Sequence, residues 1–183
     1  TLVQIWLNGG TGTCSKQTTT YTVGSLPMGM ITGDWNCDGK QDLAVSNSGD
    51  NTLSLIYGKE TGEFDTPVTI SSGRGPGALA AADFNNDSKM DFLVGHHFIV
   101  STNGVSLLTG DFSLTLSDTS SSTGYGSATS FAATTVKDGS APAAIVISDV
   151  DNDSKLDILI TLPFIKKLAV ISGKLYSGNL SCP

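Results

Sequence analysis

Three short stretches of this chain concentrate oxygen donors at a spacing suited to a hard cation. They run from Gly33 to Leu43, from Ala82 to Phe92 and from Ser148 to Ile158, and all share one nine-position register. Counting from the first Asp of each, positions 1, 3, 5 and 9 carry Asp or Asn, and position 7 offers a backbone carbonyl. The first loop supplies Asp34, Asn36, Asp38 and Asp42 with the carbonyl of Lys40. The second supplies Asp83, Asn85, Asp87 and Asp91 with that of Lys89, and the third Asp149, Asp151, Asp153 and Asp157 with that of Lys155. Ca²⁺ takes six to eight oxygens in a flexible shell, and alternate residues of a tight turn aim their oxygens inward. No His or Cys stands at a ligand position, which disfavours zinc and copper. Position 12 is never Glu and no helical pattern flanks the loops, so an EF-hand is excluded. Asp, Asn and Gly also mark ordinary β-turns. The same register three times over weighs against that reading, and three Ca²⁺ sites are expected.

The charge balance agrees. The formal net charge is −7, and ten of the 17 acids are the loop Asp residues just named. Three Ca²⁺ ions would bring −7 to −1. An acidic chain of this kind is no partner for nucleic acid.

The elements that position these loops also repeat. Each loop follows a run of small apolar residues (28–32, 78–82, 143–147) and precedes a second apolar run (43–45, 92–94, 158–160). A third strand ending in Gly comes next (52–58, 104–110, 167–173), and a fourth is expected at 66–71 and 129–136. Recurrence of this type signals a repeat architecture. Each unit is read as a four-stranded antiparallel sheet with the Asp-rich loop joining its first two strands. Asp34 to Asp83 is 49 residues and Asp83 to Asp149 is 66, and the excess is placed in a Ser/Thr-rich insertion over residues 111–130. The N-terminal residues 3–8 and 18–23 match third and fourth strands only, and the last unit stops after its third. The expectation is a single all-β domain over 1–183, with a partial unit at 1–24, units at 28–73 and 77–137, and an incomplete one at 141–183. Its strands number two, four, four and three.

With 183 residues, 39% hydrophobic and only 15% charged, the chain can bury a core. Its 21 glycines fit many short strands and turns. No amphipathic helix emerges at 3.6-residue spacing. The longest apolar stretch, Ile158 to Ile165, is too short to span a membrane. No targeting segment is visible before the first strand-like run.

The apolar strand, the Asp-x-Asn/Asp-x-Asp-Gly/Ser-Lys-x-Asp loop and the second apolar strand together resemble the FG-GAP/VCBS repeat family of integrin-α-type propeller blades. The resemblance covers almost the whole chain. The literal Phe-Gly and Gly-Ala-Pro signatures are absent, with Gly75 to Ala78 and Gly139 to Pro142 in comparable places. It implies β-propeller-type blades, about three with partial units at both ends. It also implies an extracellular location and a role in adhesion, carbohydrate binding or scaffolding. The expected partners are other copies of the chain or further blades, with carbohydrate or a surface protein as alternatives. Open sheet edges at both ends suggest head-to-tail strand complementation into rings or filaments. A fragment of a larger receptor or adhesin propeller is the other reading.

Remaining residues carry less. Cys14 and Cys37 fall in connections on one side of such blades, so they form a candidate disulfide, against three unpaired cysteines. Asn179 is the glycosylation sequon outside a metal loop. His96 and His97 are adjacent in a strand and face opposite ways, which suits a structural role. Trp6 and Trp35 suit core positions better than sugar stacking. No nucleophile and base can be paired, so no enzyme is expected.

Overall fold

Alternation of apolar and polar residues is the pattern of a strand with two distinct faces. The computed structural model describes residues 1–8, 10–83, 89–102, 105–115, 129–131, 142–163 and 166–171. Among them are thirteen strands and no α-helix. A two-stranded hairpin comes first, β1 (Leu2–Asn8) with β2 (Cys14–Thr22). A four-stranded meander follows: β3 (Pro27–Gly33), β4 (Asp42–Asn47), β5 (Thr52–Ile56) and β6 (Val68–Ser71). The next is β7 (Pro76–Ala82), β8 (Asp91–Thr102), β9 (Val105–Thr115) and β10 (Thr129–Phe131). The last has three strands, β11 (Ala144–Ser148), β12 (Asp157–Leu162) and β13 (Lys167–Ile171). Every pairing is antiparallel.

The sheets stack face to face in chain order, and the residue alternation shows how. On β4, Leu43 and Val45 pack with Tyr21 and Val23 of the hairpin region, while Ala44 faces the next sheet. On β8, Phe92 and Val94 join Leu53, Leu55 and Ile70 of the preceding sheet. Leu93 turns the other way, to Ile145, Ile147, Ile158 and Ile160. A strand covered on both faces needs apolar residues at successive positions, which explains the unbroken apolar runs 43–45 of β4 and 92–94 of β8.

The first strands lie next to one another: β7 approaches β3 on one side and β11 on the other. β3 and β7 both begin with Pro, and both are edge strands of their own sheets, where a missing ladder donor is tolerated. They meet so closely that a Cβ on Gly29 would stand 2.4 Å from the Gly77 carbonyl oxygen. Ser46 Oγ accepts from the Gly29 N–H at 2.8 Å and donates to the Gly77 carbonyl at 2.7 Å, tying the two sheets. The hairpin is fastened by Tyr21, whose hydroxyl accepts from Phe64 N–H at 3.0 Å while the two rings meet edge-on.

The second unit departs from expectation. Its third strand was placed at 104–110, with the extra length in an insertion over 111–130. The register instead pairs Phe92 with Thr115 and His96 with Asp111, the counterparts of Leu43 with Ile56 and Asn47 with Thr52. Residues 97–102 pair with 105–110 in an extension of the same hairpin. Residues 111–115 therefore belong to the sheet, and part of the excess lies between the second and third strands. The run from Phe98 to Val100 keeps strand composition, so nothing stops β8 where β4 stops. Residues 116–128 lie outside the described residues.

Candidate metal-binding loops

The loops at 34–42 and 149–157 have the same internal wiring. The first Asp receives two backbone N–H groups. Asp34 Oδ1 accepts from Asp38 at 3.0 Å and Oδ2 from Gly39 at 2.8 Å. Asp149 accepts from Asp153 at 3.1 Å and from Ser154 at 2.9 Å. The position-3 oxygen reaches the same N–H of position 5, at 3.2 Å from Asn36 and 3.2 Å from Asp151. The position-5 carboxylate accepts from the backbone N–H of position 7, 2.9 Å in both loops. Position 9 closes the turn. Asp42 Oδ2 accepts from Trp35 N–H at 2.8 Å, and Asp157 Oδ2 from Val150 at 2.9 Å.

This wiring needs backbone that few residues adopt. Positions 4 and 6 have positive φ: Cys37 at 60° and Gly39 at 81° in the first loop, Asn152 at 59° and Ser154 at 65° in the third. That region costs an L-residue about 1–2 kcal/mol, least for Gly and Asn. The carboxylates that accept the reoriented N–H groups offset it. The N–H donors at position 6, Gly39 and Ser154, take part in the loops although only positions 1, 3, 5, 7 and 9 were singled out from the sequence. Their signal was the Gly or Ser itself.

Electrostatics separate the buried Asp from the exposed ones. Asp42 is fully buried, and burial pushes its carboxyl above the usual range, with help from Asp38 and Asp34. Hydrogen bonds from Gly58, at 2.7 Å, and Trp35 pull the other way without prevailing. At Asp38 desolvation again raises the pKa, but hydrogen bonds from Lys40 and Asn36 together hold it below its ordinary value. Asp153 is held low first by the Lys155 ammonium, whose Nζ lies 2.9 Å from Oδ2. Lys40 Nζ makes the same contact with Asp38 at 3.1 Å. Lys40 and Lys155 thus touch the central carboxylate of their loops with their side chains, beyond the carbonyl role expected of them.

A calcium ion can be tested against these donors. Oxygens on a shell of roughly 2.4 Å radius lie no further apart than about twice that. Asp149, Asp151 and Asp153 each present an oxygen within 4.8 Å of the others. All the donors are hard oxygens, so the residues fit Ca²⁺. In the second loop Asp83 and Asp91 are buried, as Asp42 is, while Asn85 and Asp87 lie outside the described residues.

The apolar anchors differ between loops. Trp35 is buried against the following sheet, next to Met90 and Phe92. Val150, at the same position of its loop, is 47% exposed. Trp6 is 59% exposed and not a core residue, standing on the side of β1 away from Val3 and Ile5, which pack on the core. His96 is buried, with Nδ1 2.9 Å from the Arg74 carbonyl, as a structural residue would be. The expected Cys14–Cys37 disulfide is not formed. Cys14 is an exposed free thiol, whereas Cys37 is disulfide-bonded. Pairing depends on how distant segments meet, which loop assignment alone does not give. Asn179 also lies outside the described residues.

A cleft of about 580 Å³ opens between β3, β7 and β11, walled by Asp34, Gln41, Met90 and Val146 among others. Both Asp34 oxygens are already held by backbone N–H groups. No helix among the described residues is long and apolar enough to cross a membrane. Residues 34–94 match the model of a protein family described as an FG-GAP-like repeat. The match starts at the first Asp of one loop and ends in β8, so it spans the loops at 34–42 and 83–91, strands β4 to β7 and the start of β8. No curated protein matches the chain.

Proposed function

We propose, from the FG-GAP-like repeat at residues 34–94, that this chain is a non-catalytic, calcium-stabilised set of propeller-type blades with a structural or adhesive role outside the cell. The observation that carries the reading is the shared wiring of the loops at 34–42 and 149–157, with three Asp oxygens within 4.8 Å in the latter. A turn needs only one or two of these bonds. Two loops wired alike, one of which brings three carboxylates together, favour a common cation. When bound, the ion supplies positive charge that offsets carboxylate repulsion. The ligands would be the side chains at positions 1, 3, 5 and 9 with the position-7 carbonyl.

The same reading takes all of 1–183 as one repeat domain, with other copies or further blades as partners. FG-GAP repeats are in general non-enzymatic and extracellular, which supports both remaining parts. A sugar-binding role is the second reading, favoured by the exposed indole of Trp6. Binding on a glycan array that Trp6→Ala abolishes would move the assignment there.

Calorimetric titration with Ca²⁺ should give three sites per chain, and Asp153→Ala should remove one. Asp65→Ala, which touches only the exposed Lys59 pair, should remove none. Ligation of the native state adds roughly 2.7 kcal/mol per site at 100-fold excess over Kd, so chelation should lower the unfolding midpoint. An unchanged midpoint and no binding heat would make the loops plain turns.

A further inference from the structure

Position 4 sets the first loop apart from the other two. It is Asn86 in the second and Asn152 in the third, but Cys37 in the first. The position takes left-handed backbone, with φ 60° at Cys37 and 59° at Asn152. Asn tolerates that region because its short amide bonds locally, and Cys has no such group. Cys37 is instead disulfide-bonded, and it is exposed to solvent. Its two neighbours are the donors expected at positions 3 and 5. Asn36 Oδ1 accepts from Asp38 N–H at 3.2 Å, and Asn36 Nδ2 donates to Asp38 Oδ2 at 3.1 Å. Both bonds run across Cys37, so its conformation sets how these two donors stand to each other.

The first loop also has the weaker donor set. Position 3 is the neutral Asn36 where the third loop has Asp151, so it brings three carboxylates where the third brings four. Calcium affinity is set by ligand charge and by site rigidity. With less charge, the first loop depends more on rigidity, and a cross-link narrows the conformations open to the residue it ties.

We infer that the Cys37 disulfide is a redox control on the first loop: the oxidised chain binds Ca²⁺ there, and the reduced chain binds it much more weakly. The third loop is indifferent. The inference rests on the reading of these loops as calcium sites. A dithiol reductant delivers two electrons and two protons to the bond, leaves both cysteines as thiols, and is itself oxidised to a disulfide. Cys37 must then be driven into left-handed backbone each time the ion binds. The coupling is reciprocal, so Ca²⁺ on the loop also favours the disulfide. Disulfides persist in oxidising surroundings. A chain that acts outside the cell therefore reaches its full calcium load there and not before.

Calorimetric titration of the full chain with Ca²⁺, with and without dithiothreitol, tests this directly. One site should weaken roughly five- to thirtyfold on reduction, the equivalent of the left-handed cost, while the others hold. Asp38→Ala, which lacks the first site, should titrate alike in both states, and Asp153→Ala should keep the sensitive site. Cys37→Asn places at position 4 the residue of the other two loops. It should bind at the first loop with an affinity that the reductant leaves unchanged. Cys14→Ser should respond as the wild type does. Equal affinity at every site in the oxidised and reduced chains overturns the inference and leaves the calcium reading standing. So does a Cys37→Asn chain that stays sensitive to reductant, or a reduced chain that loses all its sites together, since that is global unfolding. An absence of binding heat in both states removes the inference and the calcium reading alike.

Discussion

Trp35 meets Phe92 edge-on, with ring centroids 5.2 Å apart and planes inclined by 69°. One ring belongs to the loop at 34–42, the other to the second strand of the following unit, so this pair couples loop to neighbouring sheet. Edge-to-face geometry sets the electropositive rim of one ring against the face of the other, adding about 0.5–1.5 kcal/mol to the burial itself.

Phe92→Ala should therefore cost about 3–5 kcal/mol, the range for removing a fully buried aromatic side chain. Urea unfolding would show it as a lowered midpoint at nearly constant slope. A change under 1 kcal/mol would mean that the two sheets are not packed through this ring.

Lys155→Gln should tighten calcium at the third loop by roughly two- to fivefold, the equivalent of one exposed ion pair. Lys155 Nζ holds Asp153 Oδ2 at 2.9 Å, an oxygen that a cation at this loop also needs. Removing the ammonium frees it and deletes a like charge beside the ion. Competition with a chromophoric chelator gives the affinity, and weaker binding would show that the lysine side chain supports the loop instead of competing with the ion.

The turn between β4 and β5 should respond to acid through Asp50. Hydrogen bonds from the Ser25 hydroxyl, at 2.5 Å, and the Ser25 N–H, at 2.7 Å, hold its carboxyl below the usual range. A depressed carboxylate stabilises the fold above the unfolded value of about 3.9, and that contribution is lost as pH falls through the lower folded value. Asp50→Asn should thus melt below the wild type near neutrality, and the gap should close in acid. A gap that persists unchanged to about pH 2 would assign the effect to geometry and not to charge.

What could be read from the chain without coordinates followed chemistry that repeats. The Asp register located the loops, and the apolar runs at 43–45, 92–94 and 158–160 fall within β4, β8 and β12. What could not be read depends on neighbours. Trp35 and Val150 occupy the same loop position, but among the described residues only Trp35 is packed on a sheet. Cys14 and Cys37 were expected to pair from their loop positions and do not bond. The long β8–β9 hairpin was missed because strand composition persists past His96, and composition sets no register.

The close approach of Gly29 to Gly77 fixes more than a local contact. At the row of first strands the backbones are pinched together, with no room for even a methyl group. Farther out, Leu53, Leu55, Ile70, Leu79 and Phe92 prop the same two sheets apart. That junction is therefore a wedge, with its apex along β3 and β7. The apex residues of β7 are nearly all small, from Gly77 and Ala78 to Ala80, Ala81 and Ala82. Residue size at the apex thus sets the angle between these two sheets, and a side chain at position 29 would force the two backbones apart there.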